Sequence, residues 1–157
     1  MTRRAALLSL PVAFAGVATA LAGAQSKAAA TQSKIPIRVY KDPSCGCCSK
    51  WVDHMNANGF VASVLAVDMP PIKKQYNVPS RLESCHTTIV GGYVVEGHVP
   101  ASDVKKLLAT KPAGILGLTI PGMPQSAPGM DVMPFQPYEV LTFDKEGKTT
   151  VYAKHTR

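Results

Sequence analysis

Over most of the chain, the spacing of apolar side chains alternates between the periods of β-strands and α-helices. Residues 35–40 alternate apolar with other side chains, which predicts a strand. Trp51 and Met55 share a helical face with Cys48, which predicts a helix over residues 46–58. The further elements predicted in this way are a strand over residues 60–67, a short helix over 70–76, a hairpin over 87–96 and a helix over 101–109.

The predicted order is strand, helix, strand, helix, two strands and helix, which is that of a thioredoxin-like domain. Asn58-Gly59 is expected to end the first helix, and Ser102 is expected to cap the last one. We therefore predict an α/β fold class, with a thioredoxin-like mixed sheet and flanking helices. In such folds, the chemistry lies in the turn after the first strand and in the loop that enters the third strand.

A segment rich in proline and methionine, residues 120–137, has a composition that blocks helix and sheet, so we predict a loop. Methionines in a loop have two interpretations, a hydrophobic lid and an arm of thioether donors. We favour the arm for Met123 and Met130, which occur in matching Gly-Met settings, and we assign Met133 to packing. A C-terminal β-hairpin follows, with strands over residues 138–143 and 149–152.

Residues 1–24 have the pattern of a cleaved export signal. Arg3 and Arg4 precede an apolar run that ends in a small-residue cleavage site. An uncleaved anchor is the alternative, since the run approaches the ~20 residues that span a bilayer, but its alanine content favours cleavage. We predict a periplasmic location, a flexible leader over residues 25–34, one domain over residues 35–157 and no membrane association after cleavage.

The net charge of the chain does not indicate a nucleic-acid partner. The formal charge of +7 falls to +5 when Arg3 and Arg4 are removed, and no basic run exceeds two residues. Because no aromatic ladder accompanies the basic residues, we predict no nucleic-acid binding. The sequence also carries no hydrolytic or transferase motif.

The four cysteines carry the candidate chemistry. Cys45, Cys47 and Cys48 fall within four residues, and Cys85 is followed directly by His86. Cysteines that serve only as staples are spread along a chain, because closing a long loop stabilises more. Soft thiolate and thioether donors suit Cu(I). Three sulfurs so close cannot easily share one tetrahedral zinc ion, the closest competitor, so we predict copper held in a cluster.

Each candidate also has a structural alternative. The four cysteines can form two disulfides in an exported protein, although their clustering favours metal or redox use. For His86, adjacency to Cys85 favours ligation or a supporting contact over a surface role. His98 is left between ligation and a structural hydrogen bond, His54 is expected to be structural, and His155 is expected to be exposed or disordered.

Four segments together resemble one known family. They are Cys45-Gly46-Cys47-Cys48 with Trp51, Ser84-Cys85-His86-Thr87, Glu96-Gly97-His98-Val99-Pro100-Ala101, and Pro121-Gly122-Met123-Pro124 through Pro128-Gly129-Met130. The family is CopG, bacterial copper-resistance proteins, and the resemblance covers about residues 35–152. One departure is residues 125–127, where a Gly-Ser pair is expected. The resemblance implies a periplasmic, thioredoxin-like protein whose cysteines hold a multinuclear copper cluster and which interconverts copper oxidation states.

Two classes of function follow. In the first, the protein is a copper-binding resistance factor, whose cofactor is copper and whose partners are copper ions and other periplasmic copper-resistance proteins. The expected ligands are Cys45, Cys47, Cys48 and Cys85, with His86, Met123 and Met130 as auxiliary ligands. In the second, the protein is a periplasmic thiol-disulfide oxidoreductase, where Cys45 attacks a substrate disulfide and Cys48 resolves the mixed disulfide. Cys47 argues against the second class because a third thiol would divert the intermediate. The missing proline beside the third strand argues against it as well.

Overall fold

Seven β-strands and three α-helices make up residues 33–156, the part of the chain that the computed structural model describes. The predicted export signal, residues 1–24, and most of the predicted leader lie outside these residues. In chain order the elements are β1 (Ile35–Lys41), α1 (Gly46–Ala57), β2 (Phe60–Ala66), α2 (Met69–Gln75), β3 (His86–Val90), β4 (Tyr93–Glu96), α3 (Ala101–Thr110), β5 (Gly117–Thr119), β6 (Tyr138–Phe143) and β7 (Thr149–His155), with a 3-10 turn at Ser80–Leu82.

All seven strands join one mixed sheet in the order β2-β1-β3-β4-β5-β6-β7. β1 runs parallel to β2 and antiparallel to β3, and β4 runs antiparallel to β3. These strands, with α1, α2 and α3, follow the order predicted from the sequence, and the α/β fold class is confirmed. β5 pairs parallel to β4, and the hairpin β6–β7 extends the sheet on that side.

Local sequence sets where α1 begins and ends, and this places the cysteines. Cys45 is the N-cap, and its Sγ accepts a hydrogen bond from the backbone N–H of Cys48 at 3.3 Å. The helix ends at Asn58, and Gly59 follows with a φ of +85°, which confirms the predicted stop. Cys47 and Cys48 therefore lie in the first turn, where free N–H groups and the helix dipole favour negative charge.

The main hydrophobic core lies between the sheet and the helices α1 and α3. Trp51 and Met55 of α1 pack with Leu107 of α3 and with Val95 of β4, and all four side chains are fully buried. Burying an apolar side chain of this size stabilises the fold by about 1.5–3 kcal/mol. The indole N–H of Trp51 donates to the carbonyl oxygen of Val99 at 2.9 Å, so the core also ties the cysteine helix to the turn before α3.

A smaller cluster packs on the opposite face of the sheet. It contains Val78, Leu82, Val94 and Phe143. Val94 belongs to this cluster whereas its neighbour Val95 belongs to the main core, because successive side chains of a strand point to opposite faces. Both faces of β4, which pairs with β3, are therefore covered by buried side chains.

The structure departs from the predicted elements at β5 and at the cap of α3, although the helix begins at Ala101 as predicted. β5 was not predicted, since it has three residues and begins with a glycine. A Cβ at Gly117 would collide with the backbone of Val94, so the pairing depends on a close approach between strands. The expected cap at Ser102 is wrong: α3 begins after Pro100 with no side-chain cap, and Ser102 lies inside the helix.

Three further observations complete the description of the fold. His155 was expected to be exposed or disordered, but it is the last residue of β7 and its Nε2 lies 2.7 Å from a carboxylate oxygen of Asp103. Loop 120–137 contains neither helix nor strand, as predicted. Within residues 33–156, every helix falls short of the length and apolar character that crossing a bilayer requires.

Candidate metal centre

The three clustered cysteines lie at the start of α1. Cys45 and Cys48 form a disulfide, and the Sγ atom of Cys47 lies 3.5 Å from that of Cys45. Cys48 is fully buried, whereas Cys47 is a partly exposed free thiol. The first turn of the helix therefore places a disulfide and a free thiol side by side.

The second part of the site comes from the loop that enters β3. Cys85 precedes the strand, and His86 is its first residue. The Sγ atom of Cys48 lies 3.9 Å from the carbonyl oxygen of Cys85, which brings the loop against the cysteine helix. Consequently the sulfur atoms of Cys45, Cys47, Cys48 and Cys85 all lie within 4.8 Å of one another.

His98, in the turn after β4, contacts the site directly. Its Nδ1 lies 2.7 Å from the carbonyl oxygen of Pro128, which can only accept a hydrogen bond, so Nδ1 carries a proton and donates. In the neutral ring, Nε2 then has the lone pair and accepts from the thiol of Cys85 at 2.9 Å. The lone pair that a metal requires is therefore held against the sulfur of Cys85.

His86 is fully buried among the other site residues. Its ring lies 4.3 Å from that of Trp51 and 5.1 Å from that of His98, measured between ring centroids. The Nδ1 atom lies 3.6 Å from the Sγ of Cys85, and the Nε2 atom has no hydrogen-bond partner among residues 33–156. A buried polar nitrogen without a partner is costly, and a bound metal would satisfy it.

Burial sets the protonation of these groups. It raises the pKa of the Cys85 thiol to about 12, and the charge of Cys47 adds to the effect. It also lowers the pKa of His98, and it lowers that of His86 well below 6.5, with His98 and two lysines, Lys73 and Lys41, adding to the shift. At neutral pH the metal-free site therefore offers neutral imidazoles beside a protonated thiol.

Loop 120–137 packs against the start of α1 at Gly129. A Cβ at this position would lie 2.7 Å from the backbone nitrogen of Trp51 and 3.0 Å from the carbonyl oxygen of Cys47. The residue also has a φ of +84°, so glycine is required on both counts. The carboxylate of Asp131 accepts a hydrogen bond from the N–H of Gly129 at 3.1 Å, which fixes the turn.

The three methionines of this loop differ in exposure. Met130 is half-buried and directly follows Gly129, the residue that packs against the cysteine helix. Met123 is 38% exposed, and Met133 is 76% exposed, so the expectation that Met133 serves packing is wrong. Met133 follows, in the sequence, the turn that Gly129 anchors.

The structure thus brings together most of the residues that the sequence singled out. Two sets of four ligand atoms each lie within 4.8 Å of one another, namely the four cysteines, and Cys48 and Cys85 with His86 and His98. The sequence left His98 undecided; the signals were its place directly after the predicted hairpin and within segment 96–101, one of the four that resemble a known family. His54 is structural as expected, since its Nε2 accepts a hydrogen bond from the N–H of Ala101 at 3.2 Å.

Fold and site define a mixed α/β protein with a buried cysteine–histidine centre suited to a soft metal. Residues 82–130 match the family described as "Protein of unknown function, DUF411". Two solved structures named "Copper resistance protein copG", Form 1 and Form 2, are 38% and 39% identical to this chain, with TM-scores of 0.72 and 0.71. In both cases the match covers 78% of this chain and 98% of the other. The chain belongs to the CopG family of copper-resistance proteins. No curated protein matches this chain.

Proposed function

We propose that this protein binds copper in the periplasm as part of copper resistance. Family membership supports the metal, because both solved relatives carry the name of a copper-resistance protein. The proposed principal ligands are Cys45, Cys47, Cys48 and Cys85, with His86, His98, Met123 and Met130 as further donors. The predicted export signal supports the location, and other periplasmic copper-resistance proteins are the proposed partners.

One observation carries the proposal: two sets of donors overlap at Cys48 and Cys85. We call Cys45, Cys47, Cys48 and Cys85 the thiolate group, and Cys48, Cys85, His86 and His98 the mixed group. One tetrahedral ion takes four ligands, whereas the two groups together hold six residues. Bridging thiolates serve more than one ion, so the shared sulfurs support a multinuclear site.

The donor chemistry favours copper over zinc. Thiolate and thioether are soft ligands that suit Cu(I), and imidazole suits copper as well. Neutral rings at His86 and His98 bind without first losing a proton, and the unpartnered Nε2 of His86 supports a ligand at this point. Zinc also accepts cysteine and histidine, but it gives no role to Met123 and Met130. Bound copper supplies one-electron chemistry, and the mixture of soft and imidazole donors supports interconversion of Cu(I) and Cu(II).

The disulfide between Cys45 and Cys48 determines when the donor set is complete. A disulfide sulfur is not a thiolate, so all four cysteines can bind only after two electrons and two protons convert the bond into two thiols. All four thiols, these two with Cys47 and Cys85, then lose their protons on binding metal. We infer that the disulfide form is the metal-free oxidised state, and that an external thiol reductant generates the copper-binding state.

The same disulfide favours a second candidate, a thiol-disulfide oxidoreductase. In that function Cys45 attacks a substrate disulfide and Cys48 resolves the mixed disulfide. The sulfur of Cys47, 3.5 Å from that of Cys45, argues against it because it is placed to intercept the intermediate. This candidate also gives no role to His86 or His98, whereas copper binding uses both.

Because the thiolate and mixed groups overlap, single substitutions can affect one group or both, and this allows a test of the proposed site. Copper per protein is measured by elemental analysis after anaerobic reduction and loading with Cu(I). Cys47→Ser affects the thiolate group alone and His98→Phe affects the mixed group alone, so we expect a partial loss from each. Cys85→Ser affects both groups and should lose the most copper.

His54→Gln is the matched control, since His54 lies near the site but belongs to neither group. It should bind as much copper as the wild type. A wild type that retains no copper would overturn the proposal. Equal, full copper content in Cys47→Ser, His98→Phe and Cys85→Ser would remove these residues from the site.

A further inference from the structure

A buried ion pair lies directly behind the cysteine–histidine centre. Glu96, at the end of β4, is fully buried and forms a salt bridge with Lys73 of α2, whose side chain is only 7% exposed. Thr87 binds the same carboxylate, and it lies next to His86 on β3, so the two side chains point to opposite faces of the sheet. The metal centre occupies one face and the ion pair the other.

The carboxylate of Glu96 holds both ends of the Cys85-His86 dipeptide. Its Oε1 accepts a hydrogen bond from the backbone N–H of Ser84 at 2.7 Å. Its Oε2 accepts one from the hydroxyl of Thr87 at 2.7 Å. Ser84 and Thr87 are the residues immediately before and after the dipeptide, so a single carboxylate binds the backbone on one side of two candidate ligands and a side chain on the other.

Gly97, the residue after Glu96, links the turn that carries His98 to the Cys85-His86 dipeptide. The N–H of Gly97 donates to the carbonyl oxygen of His86 at 2.9 Å. Gly97 has a φ of +76°, and an added Cβ would collide with the side chain of Ser84. The turn that carries His98 is therefore packed against the loop that carries Cys85.

Stability alone is a poor explanation for an ion pair in this place. Removing two charges from water costs several kcal/mol per ion, and well-packed apolar residues of similar size often stabilise a fold equally well or better. Apolar residues, however, offer no acceptor for the N–H of Ser84 or the hydroxyl of Thr87. The hydrogen bonds to Glu96 are what an apolar pair cannot replace.

We propose that Glu96 and Lys73 are positioning residues for the metal centre. Glu96 acts through Ser84 and Thr87 to hold Cys85 and His86 in the geometry that binds metal. Lys73 neutralises the carboxylate and keeps it in place. This inference rests on the proposed copper function and extends it to residues that do not touch the metal.

Two double variants separate the acceptor from the charge. Lys73→Met with Glu96→Gln removes both charges but keeps a carbonyl oxygen that accepts from the N–H of Ser84. Lys73→Met with Glu96→Leu removes the same charges and leaves no acceptor. Lys154→Met with Glu139→Gln is the control, because it deletes an exposed ion pair on β6 and β7. In each case neither charge is left buried alone.

We expect the Gln variant to retain Cu(I) affinity close to that of the wild type. The Leu variant should bind Cu(I) about 10- to 100-fold more weakly, which is the usual effect of losing residues that orient metal ligands. The copper-edge absorption spectrum should change in the Leu variant alone. In the metal-free protein, amide hydrogen exchange at Ser84 should quicken in the Leu variant while exchange in the α1 core stays slow.

Folded Gln and Leu variants with equal affinities and unchanged spectra would overturn the inference. So would equal losses in both, because the charge rather than the acceptor would then be responsible. If the Leu variant does not fold, Thr87→Val removes one of the two tethers: it should shift the copper spectrum in the same direction, and an unchanged spectrum contradicts the inference. A wild type that binds no copper refutes the proposed function instead, while the exchange measurement at Ser84 still tests the tether.

Discussion

Replacing Gly129 with alanine tests whether the loop packed on α1 holds the metal centre together. An added Cβ would lie 2.7 Å from the backbone nitrogen of Trp51 and 3.0 Å from the carbonyl oxygen of Cys47, and neither atom belongs to a flexible side chain. The positive φ costs about 1–2 kcal/mol, and overpacking adds about 1–3 kcal/mol. We therefore expect Gly129→Ala to lower the free energy of unfolding by about 2–5 kcal/mol.

The loop can relieve this contact only by moving away from α1, which also affects the site. Pro128, the preceding residue, accepts the hydrogen bond from Nδ1 of His98 that fixes the tautomer of the ring. Met130, the following residue, moves with it. Copper retention should therefore fall together with stability. Urea unfolding of the metal-free protein, followed by the fluorescence of the single tryptophan, and competition with a Cu(I)-specific chelator measure the two effects.

Gly122→Ala is the matched control within the same loop. Gly122 also precedes a methionine and has a φ of +76°, but an added Cβ would meet no atom within 4 Å. It should incur only the cost of the positive φ, about 1–2 kcal/mol, and should leave copper binding unchanged. Equal losses of stability in the two variants, or full copper retention in Gly129→Ala, would refute the role assigned to this packing.

Three further outcomes are expected. The double variant Met123→Leu with Met130→Leu should keep the fold, since leucine matches methionine in size, but it offers no sulfur and should weaken Cu(I) retention or shift the copper reduction potential. An unchanged copper affinity and potential would assign the loop to packing. The pKa of Cys85 is about 12 in the metal-free protein, so copper binding must release the proton of this thiol. Copper affinity should therefore rise about tenfold per pH unit for each proton released below that pKa. Isothermal titrations across neutral pH that give a constant affinity would contradict this expectation. The metal-free protein should be a poor catalyst of insulin reduction and the copper-loaded form inert, whereas efficient, copper-independent exchange would favour the oxidoreductase.

The sequence predicted the parts of the fold that local chemistry determines. The end of α1, for example, lies at Asn58-Gly59, whose residue types favour a helix stop. β5 could not be predicted in this way, because Gly117 is in a strand only through its contact with Val94, far away in the chain. The predicted cap of α3 was wrong for a related reason: Ser102 favours a cap locally, but the helix begins at Ala101, as predicted, and Pro100 takes the N-cap position without a side-chain hydrogen bond.

The same division holds for the site. The cysteines and His86 could be predicted because their clustering is visible in the sequence itself. His98 reaches Cys85 only because β4 lies beside β3 and loop 120–137 returns to hold its ring. The pairing of Glu96 with Lys73 likewise depends on how α2 packs on the sheet, which no local pattern in the sequence specifies. The contacts that the sequence did not predict are those between residues that are distant in the chain and are brought together by the topology.

X-ray absorption at the copper edge tests the central claim most directly. The protein would be reduced anaerobically, loaded with Cu(I) and freed of excess metal before measurement. Copper held by the thiolate and mixed groups predicts a first shell dominated by sulfur with a contribution from nitrogen, together with copper–copper scattering from a site that shares Cys48 and Cys85. A first shell of nitrogen and oxygen alone, or a protein that retains no copper after loading, would contradict the account.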